Sequence, residues 1–231
     1  MAGARSMIPV GHTAVMATRR EPPDALDFFP TPPWATRALL SHVLGLSSDE
    51  FLSSSAWDPC CGEGHMVGPL REYFWQAEGS DVFDYGKGFP VADFLADDTR
   101  SADWLITNPP FKIAEAVVLR ALERAQVGVA MLVRSVWLEG TGRYERLFRD
   151  RPPAIIAQFC ERVPMTKGRW DPDASTATSY AWIVWHVAKP AAAPVFTWIP
   201  PGCRKALTRP EDRRRFAMQP DAGPLLASAA E

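Results

Sequence analysis

Four consecutive residues, Asn108-Pro109-Pro110-Phe111, combine hydrogen-bond acceptors with a flat aromatic ring. The Asn108 side-chain oxygen and the Pro109 carbonyl could each accept one hydrogen of an amine and so localise the lone pair on its nitrogen. Because proline has a fixed φ and no N–H group, the two prolines would keep these acceptors rigid. Phe111 offers a face on which a planar ring could stack. We therefore predict a catalytic role for this segment; a loop that only terminates a strand is the alternative.

A glycine-rich turn, Asp58-Pro59-Cys60-Cys61-Gly62-Glu63-Gly64, follows a predicted strand and precedes a predicted helix. Without a Cβ, Gly62 and Gly64 could let the backbone approach a ligand closely, and ligands of open α/β sheets bind at such strand ends. The turn does not match the G-x-G-x-x-G fingerprint of dinucleotide-binding proteins, because Gly68 comes one residue late. A ligand-binding turn is predicted, with a plain structural turn as the alternative.

Further acidic residues lie after the predicted second strand, which ends in Ser80-Asp81-Val82. A carboxylate at that point can accept hydrogen bonds from both hydroxyls of a ribose. Asp84 competes with Asp81 for this role, and the sequence alone does not decide between them. Asp93-Phe94 follows, before the Asn-Pro-Pro-Phe segment.

Alternating strand and helix patterns surround these motifs and predict how they are positioned. The predicted strands span 55–58, 102–107, 127–133, 154–160 and 180–187, and the predicted helices span 33–45, 66–75 and 113–126. The run 127–133 is almost wholly apolar, which is typical of a strand buried on both faces of a parallel sheet. The pattern predicts an α/β fold with an open, mostly parallel sheet covered by helices.

Composition and length exclude several classes of protein. With 231 residues, 47% apolar and 23% charged, the chain suits one globular domain and not a disordered or fibrous protein. No apolar run reaches the length of a membrane span, and residues 1–20 lack the apolar core of a signal peptide. The four cysteines form no CxxC pair and no metal-ligand spacing. We therefore predict no metal site, no disulfide scaffold, no membrane partner and a cytoplasmic location.

The charge of the chain changes sign along its length. Residues 1–20 hold three basic and no acidic residues, residues 21–111 hold four basic and fifteen acidic, and residues 112–231 hold eighteen basic and twelve acidic. The basic second part could face a polyanion, although a solvated surface explains it equally well. We predict a flexible basic arm at 1–20, one domain at 21–190, and a polar and basic extension at 191–231 without a separate recognition domain.

The order of these motifs, D-x-x-x-G-x-G, an acidic strand end, Asp93-Phe94 and N-P-P-F, resembles the amino-methyltransferases that use S-adenosylmethionine, and in particular the adenine-N6 DNA methyltransferases. The upstream segment Asp27-Phe28-Phe29-Pro30-Thr31-Pro32 is similar to the aromatic-x-Thr-Pro element of that family. The resemblance covers about residues 27–190 and is closest to small methyltransferases of phage and prophage origin. It implies a Rossmann-like class I methyltransferase domain with an antiparallel late strand. It also implies S-adenosylmethionine as cofactor, adenine in DNA as substrate, and a role in resistance to host restriction.

The resemblance also assigns site residues by their position in the motifs. The catalytic residues would be Asn108, Pro109, Pro110 and Phe111. The cofactor-binding residues would be Phe29, Thr31, Asp58, Cys60, Gly62, Gly64, Asp81, Asp93 and Phe94. Two basic loops would contact nucleic acid through Arg143, Arg162, Lys167 and Arg169. Trp170 beside them is an aromatic side chain that could wedge or stack.

Related chemistry leaves the substrate open. Asn-Pro-Pro-aromatic segments also serve methyltransferases of RNA and of glutamine side chains in proteins, and an inactive nucleic-acid-binding module is a third alternative. The Phe29-x-Thr31-Pro32 element and the two basic loops favour DNA. Since no additional recognition domain is predicted, we expect a short or relaxed recognition sequence.

Overall fold

The computed structural model describes residues 27–45, 53–96 and 99–216, and the predicted arm at 1–20 lies outside these ranges. Within them, seven strands form one sheet: β1 (Ser55–Asp58), β2 (Gln76–Gly79), β3 (Ala102–Thr107), β4 (Ala125–Arg134), β5 (Ile155–Phe159), β6 (Tyr180–His186) and β7 (Val195–Ile199). The α-helices are α1 (Pro33–Ala38), α2 (Val67–Leu70), α3 (Ala114–Arg124), α4 (Thr141–Arg143), α5 (Cys203–Leu207) and α6 (Pro210–Phe216). Helices α1 and α4 continue as π-helical turns over Leu39–Val43 and Tyr144–Phe148, and a 3₁₀ turn spans Ser135–Leu138.

The sheet has the strand order β2-β1-β3-β4-β6-β5-β7. Neighbouring strands from β2 to β4 are parallel, β6 runs antiparallel to both of its neighbours, and β7 is parallel to β5. The predicted α/β fold, with a mostly parallel sheet and an antiparallel late strand, is confirmed. Because β1 to β4 end at the same edge of the sheet, the glycine turn after β1 and the Asn-Pro-Pro-Phe segment after β3 meet there.

Apolar clusters cover both faces of this sheet. Helix α3 buries Ala114, Val117, Val118 and Ala121, which recur at helical spacing, in one cluster that also contains Leu105. The next residue of β3, Ile106, belongs to the other cluster, because successive side chains of a strand point to opposite faces. Strand β4 is buried from Gly128 to Val133, as its apolar run predicts.

Two elements differ from the sequence prediction. Helix α2 ends at Leu70 and continues only as turns, so that Trp75, which the prediction placed at the end of this helix, is 75% exposed. Gly68 and Pro69 lie within α2, and both are poor helix formers. Strand β7 pairs with β5 in a segment for which the sequence analysis predicted no strand. Prolines flank this short run, and prolines argue against a strand interior.

The C-terminal helices are joined to the sheet domain by a buried ion-pair network. The Arg37 guanidinium donates to the Asp212 carboxylate at 2.7 and 2.8 Å and to the Glu72 carboxylate at 2.8 and 2.7 Å. Burial alone would lower the pKa of Arg37, but its hydrogen bonds to the two carboxylates and their negative charges raise that pKa overall. The network therefore connects α1, the turn after α2 and α6. In the part of the chain that the structure describes, no helix is both long enough and apolar enough to cross a membrane.

Candidate active site

A narrow cavity lies at the carboxyl edge of β1 and β3 and brings most of the predicted site residues together. Its lining comes from the segment before α1, the glycine turn, the residues after β2 and the catalytic segment. The lining residues are Asp27, Phe28, Phe29, Pro30, Thr31, Asp58, Cys60, Cys61, His65, Met66, Asp81, Tyr85, Asn108 and Pro110. The cavity therefore contains predicted cofactor-binding residues and predicted catalytic residues side by side.

The glycine turn adopts a backbone conformation that only glycine accepts easily. Gly62 has φ +52° and Gly64 has φ +84°, values that other residues rarely adopt. A Cβ at Gly62 would lie 2.3 Å from the Phe28 ring, and a Cβ at Gly64 would lie 2.5 Å from the Phe89 ring. A side chain at either position would clash with one of these aromatic rings, because the rings pack directly against the backbone of the turn.

Asp81, and not Asp84, belongs to the cavity. The Asp81 carboxylate accepts hydrogen bonds from the Gly62 N–H at 2.8 Å and from the Phe83 N–H at 3.1 Å. Asp84 is exposed, does not line the cavity, and accepts only from the Gly86 N–H, at 2.7 Å, among the contacts of the described residues. Of the two aspartates between which the sequence did not decide, only Asp81 therefore lines the cavity.

Burial controls the protonation of the groups around the turn. Desolvation raises the pKa of Asp58 to about 7, although the Cys60 N–H donates to its Oδ1 at 3.2 Å. Burial also raises the pKa of the Cys60 thiol, with the nearby Asp58 and Asp81 charges acting in the same direction. Both adjacent thiols are thus kept protonated, and neither is a thiolate nucleophile. The described residues contain no group of three side chains that could hold a metal ion.

Asn108 is oriented by contacts that leave its oxygen without a partner. Its Nδ2 donates to the Phe29 carbonyl at 2.8 Å and contacts the Met165 sulfur at 3.6 Å. Because a carbonyl oxygen can only accept, the amide nitrogen must face Phe29, and this fixes the rotation of the side chain. The other amide atom, Oδ1, is buried and has no hydrogen-bond partner among the described residues.

The Phe111 ring is fixed by its backbone and by two neighbours. Its N–H donates to the Asp27 carboxylate at 2.7 Å. The Phe29 ring lies 5.3 Å away between centroids, and the Arg134 guanidinium carbon lies 4.0 Å from the Phe111 centroid. The ring is therefore held in place at the catalytic segment, with a cation over one face.

Asp93 and Phe94 do not line the cavity. The Asp93 carboxylate accepts from the Leu95 N–H at 2.9 Å, while Phe94 is buried against Trp57 with 5.2 Å between ring centroids. Thr31 does line the cavity, and its buried Oγ1 has no hydrogen-bond partner among the described residues.

The predicted nucleic-acid-binding residues do not form one cluster of free cations. Arg143 donates to the backbone carbonyls of Trp137 and Glu139, and Arg162 donates to the Ser179 hydroxyl. The loop of Lys167 and Arg169 contacts the cavity wall, since the N–H of the intervening Gly168 donates to the Phe28 carbonyl at 2.9 Å. Trp170 is only 3% exposed, so it cannot wedge or stack without a rearrangement, contrary to the sequence expectation.

Several residues of the site escaped the sequence analysis. Asp27 flanks the aromatic-x-Thr-Pro element, which gave it no role, and His65, Tyr85, Met165 and Arg134 carry no motif of their own. His65 is 2% exposed and stacks on Phe216 with 4.3 Å between centroids, and burial lowers its pKa to about 3. The position of His65 directly after Gly64 was the one signal available in the sequence. The contacts of the others depend on the tertiary structure.

Comparison with solved structures identifies the fold. One similar structure is a Listeria monocytogenes protein assigned to the class I S-adenosylmethionine-dependent methyltransferases, with a TM-score of 0.55 and 12% identity over 82% of this chain and 70% of that one. Another is a Vibrio vulnificus protein assigned as the modification subunit of a type I restriction enzyme. It matches with a TM-score of 0.53 and 16% identity over 81% of this chain and 51% of that one, so this chain spans about half its length. No protein-family model and no curated protein matches the sequence.

At these identities the likeness establishes the fold alone. The chain has the fold of the class I S-adenosylmethionine-dependent methyltransferases. This agrees with the resemblance found in the sequence motifs.

Proposed function

We propose that this protein transfers a methyl group from S-adenosylmethionine to the exocyclic amine of adenine in DNA, with a short or relaxed recognition sequence. One observation carries the proposal: Asn108 Oδ1 is buried, fixed in orientation and without a hydrogen-bond partner among the described residues. An unsatisfied buried acceptor costs about 1–3 kcal/mol. Such a cost is expected where a ligand completes the hydrogen bond, and an amine supplies the donor that is needed.

The cavity residues fit the chemistry of the cofactor. Asp81 and Asp58 could accept hydrogen bonds from ribose hydroxyls or from an ammonium group, and the unpartnered Thr31 hydroxyl could bind a further polar group. The cavity is narrow, about 50 Å³, because the Phe28 ring lies against Gly62. Since pockets for ligands of this size hold roughly 300 Å³ or more, the lining of the cavity has to open when the cofactor binds.

The catalytic segment activates the target nitrogen by hydrogen bonding. The lone pair of the adenine amine is delocalised into the ring, which makes it a poor nucleophile. Asn108 Oδ1 and the Pro109 carbonyl would each accept one amine hydrogen, which draws the nitrogen towards tetrahedral geometry. When bound, S-adenosylmethionine supplies an electrophilic methyl group. No strong general base is needed, because the amine proton becomes acidic once the nitrogen is methylated.

Support for nucleic acid as the substrate comes from the surroundings of the cavity. The chain beyond the catalytic segment is basic overall, with eighteen basic and twelve acidic residues over 112–231. The loop of Lys167 and Arg169 contacts the cavity wall through Gly168. Phosphate contacts from the cations of this loop would position a nucleic acid without reading its sequence, which supports the proposed short recognition sequence. RNA and protein glutamine remain the alternative substrates of the same catalytic segment.

A transfer assay with labelled S-adenosylmethionine tests the proposal. Duplex DNA, single-stranded DNA, a structured RNA and a glutamine-containing peptide would be compared, with the Asn108→Ala variant as the inactive control. We expect label in DNA, located on adenine by modified-base sequencing. Label in RNA or peptide alone would move the function to another substrate class. Cofactor binding without transfer to any acceptor would contradict the enzymatic function itself.

A further inference from the structure

Arg134 is a cation beside the catalytic segment that no sequence motif singles out. It ends strand β4, and therefore lies at the same edge of the sheet as Asn108, which follows the neighbouring strand β3. Its guanidinium carbon is 4.0 Å from the centroid of the Phe111 ring. An arginine at this distance over an aromatic face is attracted by the ring quadrupole. The charge is thus held at the ring on which the target base would stack.

The hydrogen-bonding capacity of Arg134 is not used up by the protein. Its Nε is buried and has no hydrogen-bond partner among the described residues. Tyr180 faces Arg134 across the antiparallel pair of β4 and β6. Burial raises the pKa of the Tyr180 hydroxyl, while the charge of Arg134 and a hydrogen bond that Arg134 donates to this hydroxyl act against that shift. Asp27, an acidic group nearby, already accepts the Phe111 N–H. Among the described residues, Arg134 thus has the Tyr180 hydroxyl as a hydrogen-bond partner but no ion pair, and its partly buried positive charge is not neutralised there.

We propose that Arg134 binds a phosphate group adjoining the target nucleotide, an inference that rests on the proposed function. A guanidinium matches the geometry of a phosphate and can bind it through two parallel hydrogen bonds. When a base stacks on Phe111, its own phosphates are the anions within reach of an arginine at that ring. A glutamine side chain brings no such anion with it. The unneutralised charge therefore points to a nucleotide as the group that carries the amine.

A neutral linkage in the substrate tests this contact directly. A duplex with a single adenine target would carry a methylphosphonate, which has no charge, at each linkage around that adenine in turn. We expect one position next to the target to lower kcat/KM by about 10- to 100-fold, the loss typical of one hydrogen bond between charged groups. The same substitution several nucleotides away serves as the substrate control.

The Arg134→Met variant completes a double-mutant cycle with that substrate. We expect Arg134→Met to lower kcat/KM on the native duplex by a similar factor. On the duplex whose sensitive linkage is neutral, the variant should cause no further loss. Arg124→Met is the matched protein control. Arg124 also has a buried Nε without a partner among the described residues, but it lies beside the opposite end of β4. This control is expected to leave the sensitivity to the neutral linkage unchanged.

The possible failures are distinguishable. If no linkage next to the target matters in the wild-type enzyme while Arg134→Met is inactive, Arg134 acts on the base or on Phe111 and the phosphate contact is wrong. If the loss from Arg134→Met and the loss from the neutral linkage multiply, the two groups do not interact. The phosphate contact would then also be wrong. If Arg134→Met does not fold, the linkage scan with the wild-type enzyme decides alone. A wild-type enzyme that methylates no native oligonucleotide would contradict the proposed function instead.

Discussion

The two sides of the cavity satisfy their polar groups differently. On the cofactor side, the Asp58 and Asp81 carboxylates accept hydrogen bonds from backbone N–H groups of the glycine turn, although both nitrogens of His65 lack partners among the described residues. On the target side, Asn108 Oδ1 and Arg134 Nε are buried without partners in the same part of the chain. Each carboxylate of the first side thus has a backbone partner before a ligand binds and keeps lone pairs with which to accept from one, while the Thr31 hydroxyl there has no partner among the described residues. On the target side, an acceptor and a donor are left for hydrogen bonds that only a ligand can form.

This difference separates stability from activity. Substitutions in a completed polar network leave new buried groups unpaired, and so they should lower the free energy of unfolding. Substitutions of a group that is already unpaired should lower turnover at unchanged or slightly higher stability.

The largest effect on stability is expected at the buried polar network of Arg37, Glu72 and Asp212. Asp212→Ala would leave the Arg37 guanidinium, which is 2% exposed, without one of its two carboxylate partners. Breaking a buried ion pair in this way costs about 3–5 kcal/mol, to be measured as the free energy of unfolding in urea. Glu211→Ala, which breaks an exposed pair with Arg214, is the control and should change stability by at most about 0.5 kcal/mol. Equal small effects of both variants would contradict a stabilising role of the network.

Asn108→Ala should lower turnover strongly and stability little, the reverse of Asp212→Ala. It removes an acceptor that acts on the target amine, and we expect kcat to fall on the order of 10²–10³-fold, as for the loss of one preorganised catalytic hydrogen bond. The melting temperature should not fall by more than the loss of the Phe29 contact explains, and cofactor affinity measured by calorimetry should stay nearly constant. A variant that is unstable, or that fails to bind the cofactor, would show that Asn108 has a structural role and contradict its proposed action on the amine.

The sequence predicted the elements whose patterns are local. Strand β3 was predicted at its observed ends, because an apolar run leads directly into Asn108. The amphipathic helix α3 and the buried strand β4 were predicted to within a few residues, since their periodicity and length are clear. The glycine turn at the end of β1 was predicted because the geometry of a turn at a strand end restricts the residue types.

Contacts between distant segments were not predictable in this way. Whether Asp81 or Asp84 enters the cavity depends on the backbone after β2, where Asp81 forms a bridge with Val91. The orientation of Asn108 depends on Phe29 and Met165, which are far away in the sequence. Trp170 was expected to be available for stacking because it lies in a basic loop, yet tertiary packing buries it. Local patterns carry no information about such packing.

Asp81 offers a test of the cofactor side itself. Asp81→Asn should weaken cofactor binding about 10- to 100-fold, the effect of losing hydrogen bonds to a charged group. It should also lower stability slightly, since Asp81 accepts from both Gly62 and Phe83 and the amide can replace only one of these acceptors. Asp84→Asn is the matched control, and calorimetry compares the two. Weaker binding in the control and not in Asp81→Asn would mean that the ribose is bound three residues further along.

The smallest effect is expected in the pH dependence of cofactor binding, and it arises from Asp58. Burial raises the pKa of this carboxyl from 3.8 to about 7, so the folded protein binds a proton that the unfolded chain releases. Its contribution to stability is therefore present at low pH and is lost as the pH rises from 3.8 through about 7. The pH dependence of cofactor binding has the opposite sign to that of stability, because the positive charges of S-adenosylmethionine favour the ionised carboxylate. If only that form binds, affinity should rise about tenfold between about pH 6 and 8, with release of a proton near pH 7. His65 does not contribute, since its lowered pKa of about 3 keeps it neutral throughout this range.

Calorimetric titrations in buffers of different ionisation enthalpy measure both the affinity for the cofactor and the number of protons released on binding. Burial raises the pKa of Asp81 as well, so this carboxylate contributes in the same direction. Asp58→Asn should therefore remove most of the pH dependence, whereas Asp81→Asn should weaken binding and retain most of it. An affinity that is flat across this range in the wild-type protein would show that Asp58 does not interact with the cofactor's charge.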